Sequence, residues 1–145
     1  MPSVLVSGPA GSGKSAVARE RREANAGPAV IADFQSIYAA LSGDVRGPDG
    51  TYPLRDERLL PTVEYVRRAV ISAAKAREID VIATNSDGDP DRRAFLLREL
   101  GEEATEEIID PGEDVVKARL SSRRTGRLSG ACRAAIGRWY GRLRR

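Results

Sequence analysis

The sequence predicts an α/β domain, a parallel sheet of four strands (a fifth left open) with helices on both faces. Three observations carry that expectation. Short apolar runs alternate with amphipathic stretches from one end of the chain to the other. Turn residues such as glycine, proline, asparagine and aspartate follow the apolar runs. No internal repeat or low-complexity linker interrupts the pattern. Parallel strands need a helical crossover to return to the same end of the sheet, and strict alternation supplies one each time. At 145 residues, with 41% hydrophobic and 31% charged side chains, the chain suits a single globular unit, 1–145, able to bury a core.

Each element follows from its local pattern. Ser3–Ser7 is a short apolar strand, and a helix runs from Ser15 to about Ala24. Pro28 introduces a second strand, Ala29–Ala32, which ends at Asp33; Phe34–Leu41 reads as a short helix. The stretch 43–56, dense in Gly, Pro and Asp, reads as part of a mobile acceptor-side loop, 43–58. A long helix follows from Leu60 or Pro61 to Arg77, with Val63, Val66, Val70 and Ala73 or Ala74 on its apolar stripe. Val81–Thr84 is the third strand. Asp89 is an N-cap residue with Pro90 at the first helical position, opening a helix to Leu100. Glu107–Ile109 is the fourth strand, ending at Asp110-Pro111; a helix from Glu113 to Arg123 and a closing helix from Leu128 to Arg142 complete the chain. The closing helix places Leu128, Cys132, Ala135, Ile136, Trp139 and Leu143 on one face, and Trp139 and Cys132 read as packing residues.

The first strand runs into SGPAGSGKS. Gly8, four intervening residues, then Gly13-Lys14-Ser15 is the phosphate-binding P-loop pattern, in the strand-then-helix setting the pattern requires. Glycines let successive amide N–H groups point at one anion, and the helix that follows adds its positive end. Gly8, Ala10, Gly11, Ser12, Gly13, Lys14, Ser15 and Ala16 are therefore the expected triphosphate-binding residues. Lys14 would reach the β- and γ-phosphates and Ser15 would hold Mg²⁺. The ligand expected is a nucleoside triphosphate, ATP foremost, in a three-layer P-loop NTPase fold.

Composition removes other chemistries. The chain has no histidine, so Ser-His-Asp, Cys-His and histidine-zinc sites are excluded and a general base must be a carboxylate, a lysine or water. A single cysteine cannot form an internal disulfide and fits a reducing cytoplasm. No apolar run approaches the roughly 20 residues of a membrane span. The net charge of +3 is uneven: residues 117–145 hold ten Lys and Arg and no acid, against 14 basic and 21 acidic residues before them. Such a basic end suits a polyanion or phosphate partner.

Ligands of doubly covered parallel sheets bind outside the carboxyl ends of the strands, which gathers the P-loop, Asp33, the 84–87 turn and Asp110 on one rim. Asp33 is the candidate general base for an incoming hydroxyl; a water-mediated contact to Mg²⁺ and a helix cap are its other readings. Asp87 is a second candidate at Mg²⁺, or a turn residue. The Asp110–Gly112 turn is a candidate neighbour of the nucleotide base. Arg119 and Arg123 share one helical face, and SSRRTGRLSG reads as a mobile lid, so the basic lid and closing helix, 117–145, would set a guanidinium on the transferring phosphoryl group.

VIATNSDGDPDRRAFLLRELG, IIDPGEDVVKARLSSRRTG and AAIGRWYGR resemble the later half of the kinase domain of bacteriophage-type polynucleotide 5′-hydroxyl kinases, and the P-loop and Asp33 fall in matching order. The resemblance implies transfer of the ATP γ-phosphate to a 5′-hydroxyl of DNA or RNA. It implies Asp33 as base, Lys14 and Ser15 at triphosphate and Mg²⁺, and Arg123, with Arg119 as the alternative, in the lid. One position departs. The family carries an arginine three residues after the aspartate, gripping the acceptor's 3′-phosphate, and this chain has Ser36; Arg46, Arg55 and Arg58 are candidate replacements. A kinase of a small hydroxyl compound, such as a nucleoside, sugar or antibiotic, is therefore the alternative. A slow ATP-hydrolysing module that partners a nucleic-acid-processing protein is the reading from a different class.

Overall fold

The computed structural model describes residues 2–43, 56–123 and 130–143, without the side chains of 122, 123, 130–132, 142 and 143. Four strands, β1 (Val4–Ser7), β2 (Ala29–Ala32), β3 (Asp80–Asn85) and β4 (Thr105–Ile108), form one parallel sheet in the order β2-β3-β1-β4. The helices are α1 (Lys14–Ala24), α2 (Phe34–Ser42), α3 (Leu60–Ala76), α4 (Pro90–Leu100), α5 (Glu113–Arg123) and α6 (Gly130–Leu143). A 3-10 turn, Glu57–Leu59, leads into α3.

Alternation along the strands sorts the core into two layers. Leu5, Val81 and Ala83 face one way and pack with Ile71 and Ala74 of α3 and Leu96 and Leu100 of α4. Val6 and Ile82, the intervening residues, face the other way and pack on Ala18 of α1. α5 and α6 build a separate apolar cluster from Val116, Leu120, Ile136, Trp139 and Tyr140. Trp139 lies against Gly88, so α6 rests on the turn that follows β3.

Three expectations are corrected. The fourth strand is Thr105–Ile108, two residues earlier than the apolar Ile108-Ile109 pair suggests. It is an outer strand, so apolarity does not mark it. Glu106 instead takes a hydrogen bond of 2.7 Å from Arg93 Nε on α4, and Glu107 takes 2.7 and 2.8 Å bonds from Arg21 on α1. On α3 the buried stripe is Val63, Arg67, Ile71 and Ala74, with Val66 and Val70 half-buried beside it and Ala73 exposed. The helix is rotated so that Arg67 points inward in place of Val66 and Val70. On α6, Ala135 is exposed and Tyr140 is buried with Ile136 and Trp139, while Leu128, Cys132 and Leu143 lie outside the described side chains. Residues 44–55 of the expected acceptor-side loop and 124–129 of the expected lid also lie outside the described residues. Among the described residues no helix is long and apolar enough to cross a membrane.

Candidate active site

The carboxyl ends of the central strands are stitched together. Gly8 N–H donates to Asn85 O at 2.9 Å, and Ile109 N–H donates to Ser7 O at 2.7 Å. Between these anchors the chain turns from β1 into α1. Gly8 is required by close approach: a Cβ there would stand 2.5 Å from Ser12 Oγ and 2.8 Å from the Ile109 carbonyl. Gly11 adopts φ +80°, and a Cβ on it would stand 2.9 Å from Leu120 Cγ, so α5 packs directly on the turn.

The N-terminus of α1 is left open. Its cap residue is Gly13, with no side-chain cap hydrogen bond and no acidic residue in the first turn. The amides at a helix start carry partial positive charge and lack intrahelical partners. Ser12 is buried, and its hydroxyl has no hydrogen-bond partner among the described residues. Glycines that leave no side chain in the way, unmet donors and Lys14 together fit the phosphates of a nucleotide. Lys14 Nζ donates to the Pro9 carbonyl at 2.9 Å. Desolvation lowers its pKa from 10.5 to about 8, against the opposing pull of the Asp33 carboxylate. Ala10, Ser15 and Ala16 are exposed on the same turn.

Asp33 follows β2 and is 4% exposed. Its carboxylate is held by three donors. Oδ2 accepts from Ser36 N–H at 3.0 Å and from Ser36 Oγ at 2.7 Å; Oδ1 accepts from Thr84 Oγ1 at 2.5 Å. Asp33 is thus the N-cap of α2, and it also lies within electrostatic reach of the Lys14 ammonium. Cap and candidate base are the same residue.

Arg119 reaches the β1–α1 turn, where Nη1 donates to the Gly11 and Ser12 carbonyls, both at 3.3 Å. Arg123 ends α5, and its side chain is outside the described set. Asp87 is exposed, and its Oδ1 accepts from Asp89 N–H at 2.9 Å. Asp110 Oδ1 accepts from Gly112 N–H at 3.1 Å, fixing the turn before α5. No group of three or more His, Cys, Asp or Glu side chains able to hold a metal occurs among the described residues. Of the arginines considered as replacements at the Ser36 position, Arg58 is paired with Asp56 at 2.9 Å, and Arg46 and Arg55 lie outside the described residues.

Sequence reasoning missed Arg67. It is 3% exposed, and Nη1 donates to the Thr84 carbonyl at 2.7 Å. Burial pushes its pKa below the ordinary arginine value, while the Glu64 and Asp33 carboxylates oppose that shift. The available signal was its register: Val63, Arg67 and Ile71 are spaced by four, one side of a helix, so the arginine interrupts an apolar stripe.

No protein-family model and no curated protein sequence matches the chain. Solved structures do. Across 99% of this chain, a chain of the Pnkp1/Rnl/Hen1 RNA repair complex superposes with a TM-score of 0.73 at 17% identity, and this chain spans 44% of it. The Deinococcus radiodurans tunicamycin resistance protein gives 0.63 at 21% identity, covering 100% of this chain and 82% of that one. A gluconokinase from Sinorhizobium meliloti 1021 gives 0.57 at 20% identity, covering 97% and 74%. At these identities the likeness establishes architecture alone: the chain shares the α/β fold of these three proteins.

Proposed function

We propose that this chain is an ATP-dependent phosphotransferase that moves the γ-phosphate to a 5′-hydroxyl of DNA or RNA. One observation carries the reading. A buried carboxylate, oriented by three hydrogen bonds, lies within electrostatic reach of the lysine on an anion-ready turn. The amides of 10, 11 and 13–15 and Lys14 bind the triphosphate, and Asp33 takes the proton of the acceptor hydroxyl as that oxygen attacks phosphorus. Arg119, and Arg123 at the end of the same helix, supply guanidinium charge to the transferring group. Mg²⁺ would be held by Ser15, with Asp87 as candidate carboxylate and Asp33 in contact only through water, and would neutralise phosphate charge.

A nucleic-acid acceptor is supported by the basic stretch 117–145, by the resemblance over the TN…DPDRR segment, and by the likeness to a chain of an RNA repair complex. A small hydroxyl compound is the second reading. It is favoured by Ser36, whose hydroxyl is committed to Asp33 where the resembling kinases carry a phosphate-gripping arginine. The test offers γ-labelled ATP with 5′-hydroxyl DNA, with 5′-hydroxyl RNA, and with nucleosides and sugars. Label should pass to the oligonucleotide 5′ end. Transfer confined to small alcohols selects the second reading, and ATP hydrolysis without any acceptor labelling rejects both. Asp33→Asn should lower transfer by about 10²–10⁴-fold and leave ATP affinity within about threefold.

A further inference from the structure

The kinase reading assigns a proton to Asp33 but does not say which oxygen takes it or what holds that oxygen in place. An ionised carboxylate offers roughly four lone-pair sites. Two on Oδ2 are taken by Ser36, through its N–H and its hydroxyl, and one on Oδ1 is taken by the Thr84 hydroxyl. Among the described residues the open site is on Oδ1, the oxygen shared with Thr84.

Thr84 is itself anchored. Its carbonyl accepts the 2.7 Å bond from Arg67 Nη1, and Thr84 is 2% exposed at the sheet rim. Arg67 Nε stands 4.0 Å from Glu64 Oε2 and has no hydrogen-bond partner among the described residues. Glu64 is tied in turn by Arg92 Nη2 at 2.8 Å. A buried guanidinium is costly to keep, and an apolar side chain of similar volume there is often neutral or stabilising. An arginine on the inward stripe of α3 that ends on the strand beside the candidate base therefore calls for a role other than packing.

Resting on the kinase reading above, we propose that Arg67 is a positioning residue: through Thr84 it fixes the Asp33 carboxylate so that Oδ1 receives the acceptor proton. The step balances. The acceptor O–H proton moves to Asp33 Oδ1, the acceptor oxygen bonds to the γ-phosphorus, the bond from that phosphorus to the β–γ bridging oxygen breaks, and ADP leaves. Arg67 touches neither substrate.

Steady-state kinetics of the full chain with Arg67→Met, Arg67→Lys, Thr84→Val and Ser36→Ala test this, alongside melting curves and ATP affinity. Arg67→Met should lower kcat about a hundredfold with both KM values within about threefold, since a misplacement of about 1 Å has that effect. Arg67→Lys, which keeps a donor and a charge, should recover at least about tenfold of that loss. Thr84→Val should match Arg67→Met, and the double variant should be no worse than either, because both act through one oxygen. Ser36→Ala should cost less than Thr84→Val. Full kcat in a folded Arg67→Met or Thr84→Val chain overturns the proposal, as does additive loss in the double variant. If Arg67→Met does not fold, Thr84→Val and Arg67→Lys decide by the same criteria. A native chain that transfers no phosphate overturns the kinase reading itself, and this proposal with it. Native transfer, lost in Asp33→Asn but untouched in these variants, overturns this proposal alone.

Discussion

Two neighbouring strands, β1 and β3, run parallel in register, and each hands over to a helix through a short turn, yet the two turns solve opposite problems. After β3 the chain closes alternate amides on its own side chains. Asn85 Oδ1 accepts from Asp87 N–H at 3.0 Å, Asp87 Oδ1 from Asp89 N–H at 2.9 Å, and Asp89 Oδ1 from Asp91 N–H at 3.2 Å. Pro90 then starts α4 without an N–H to satisfy, and Asp91 adds negative charge to its first turn. After β1 the same job is left undone. Glycines replace the acids, Gly13 caps nothing with a side chain, and Lys14 is the charge supplied. One turn carries its own anions; the other waits for one from outside. The difference teaches that a missing cap, set beside a capped twin in the same sheet, is the contrast on which the proposed phosphate site rests.

The largest test of that contrast moves an acid from one turn to the other. Gly13→Asp places a carboxylate at the α1 N-terminus, and nucleotide affinity should fall at least about a hundredfold, because like-charge juxtaposition costs several kcal/mol. Calorimetric titration with ATP reads it; unchanged affinity would mean phosphate does not sit there. A smaller effect comes from pH. With its pKa near 8, Lys14 loses its proton between pH 7 and 9 in the free chain. A bound phosphate favours the ammonium, so binding must take up a proton in that window. ATP affinity should drop about tenfold from pH 7 to 9, with proton uptake visible in buffers of differing ionisation enthalpy. A flat profile would remove Lys14 from the phosphates. The smallest effect is on the self-capped side. Asp89→Ala should cost about 1 kcal/mol and lower Tm by roughly 4 °C. ATP affinity should stay as it was. A loss of binding there would dissolve the distinction between the turns.

Much of this was legible in the residues. The strand-turn-helix order around SGPAGSGKS, the position of Asp33 after β2 and the Asp89-Pro90 helix start are local signals, and the structure places all three as the sequence implies. The features that escaped are not local. β4 is held by pairing with β1 and by arginines on α1 and α4, so its glutamates hide it from any search for apolar runs. Arg67 is buried because Thr84, distant in sequence, presents a carbonyl to it. Ser36 was visible as a departure from the resembling kinases, but its bond to Asp33 needed the cap geometry of α2.

The outer position of β4 has a consequence for how wide this sheet can grow. A strand with an open row of backbone donors and acceptors invites another chain to dock alongside it, and charged side chains on such a border discourage that. Glu106 and Glu107 point to opposite faces and are each clasped by an arginine from a different helix layer. A newcomer would have to settle beside both ion pairs, so the border of the sheet is guarded by the same contacts that fasten the two layers to it.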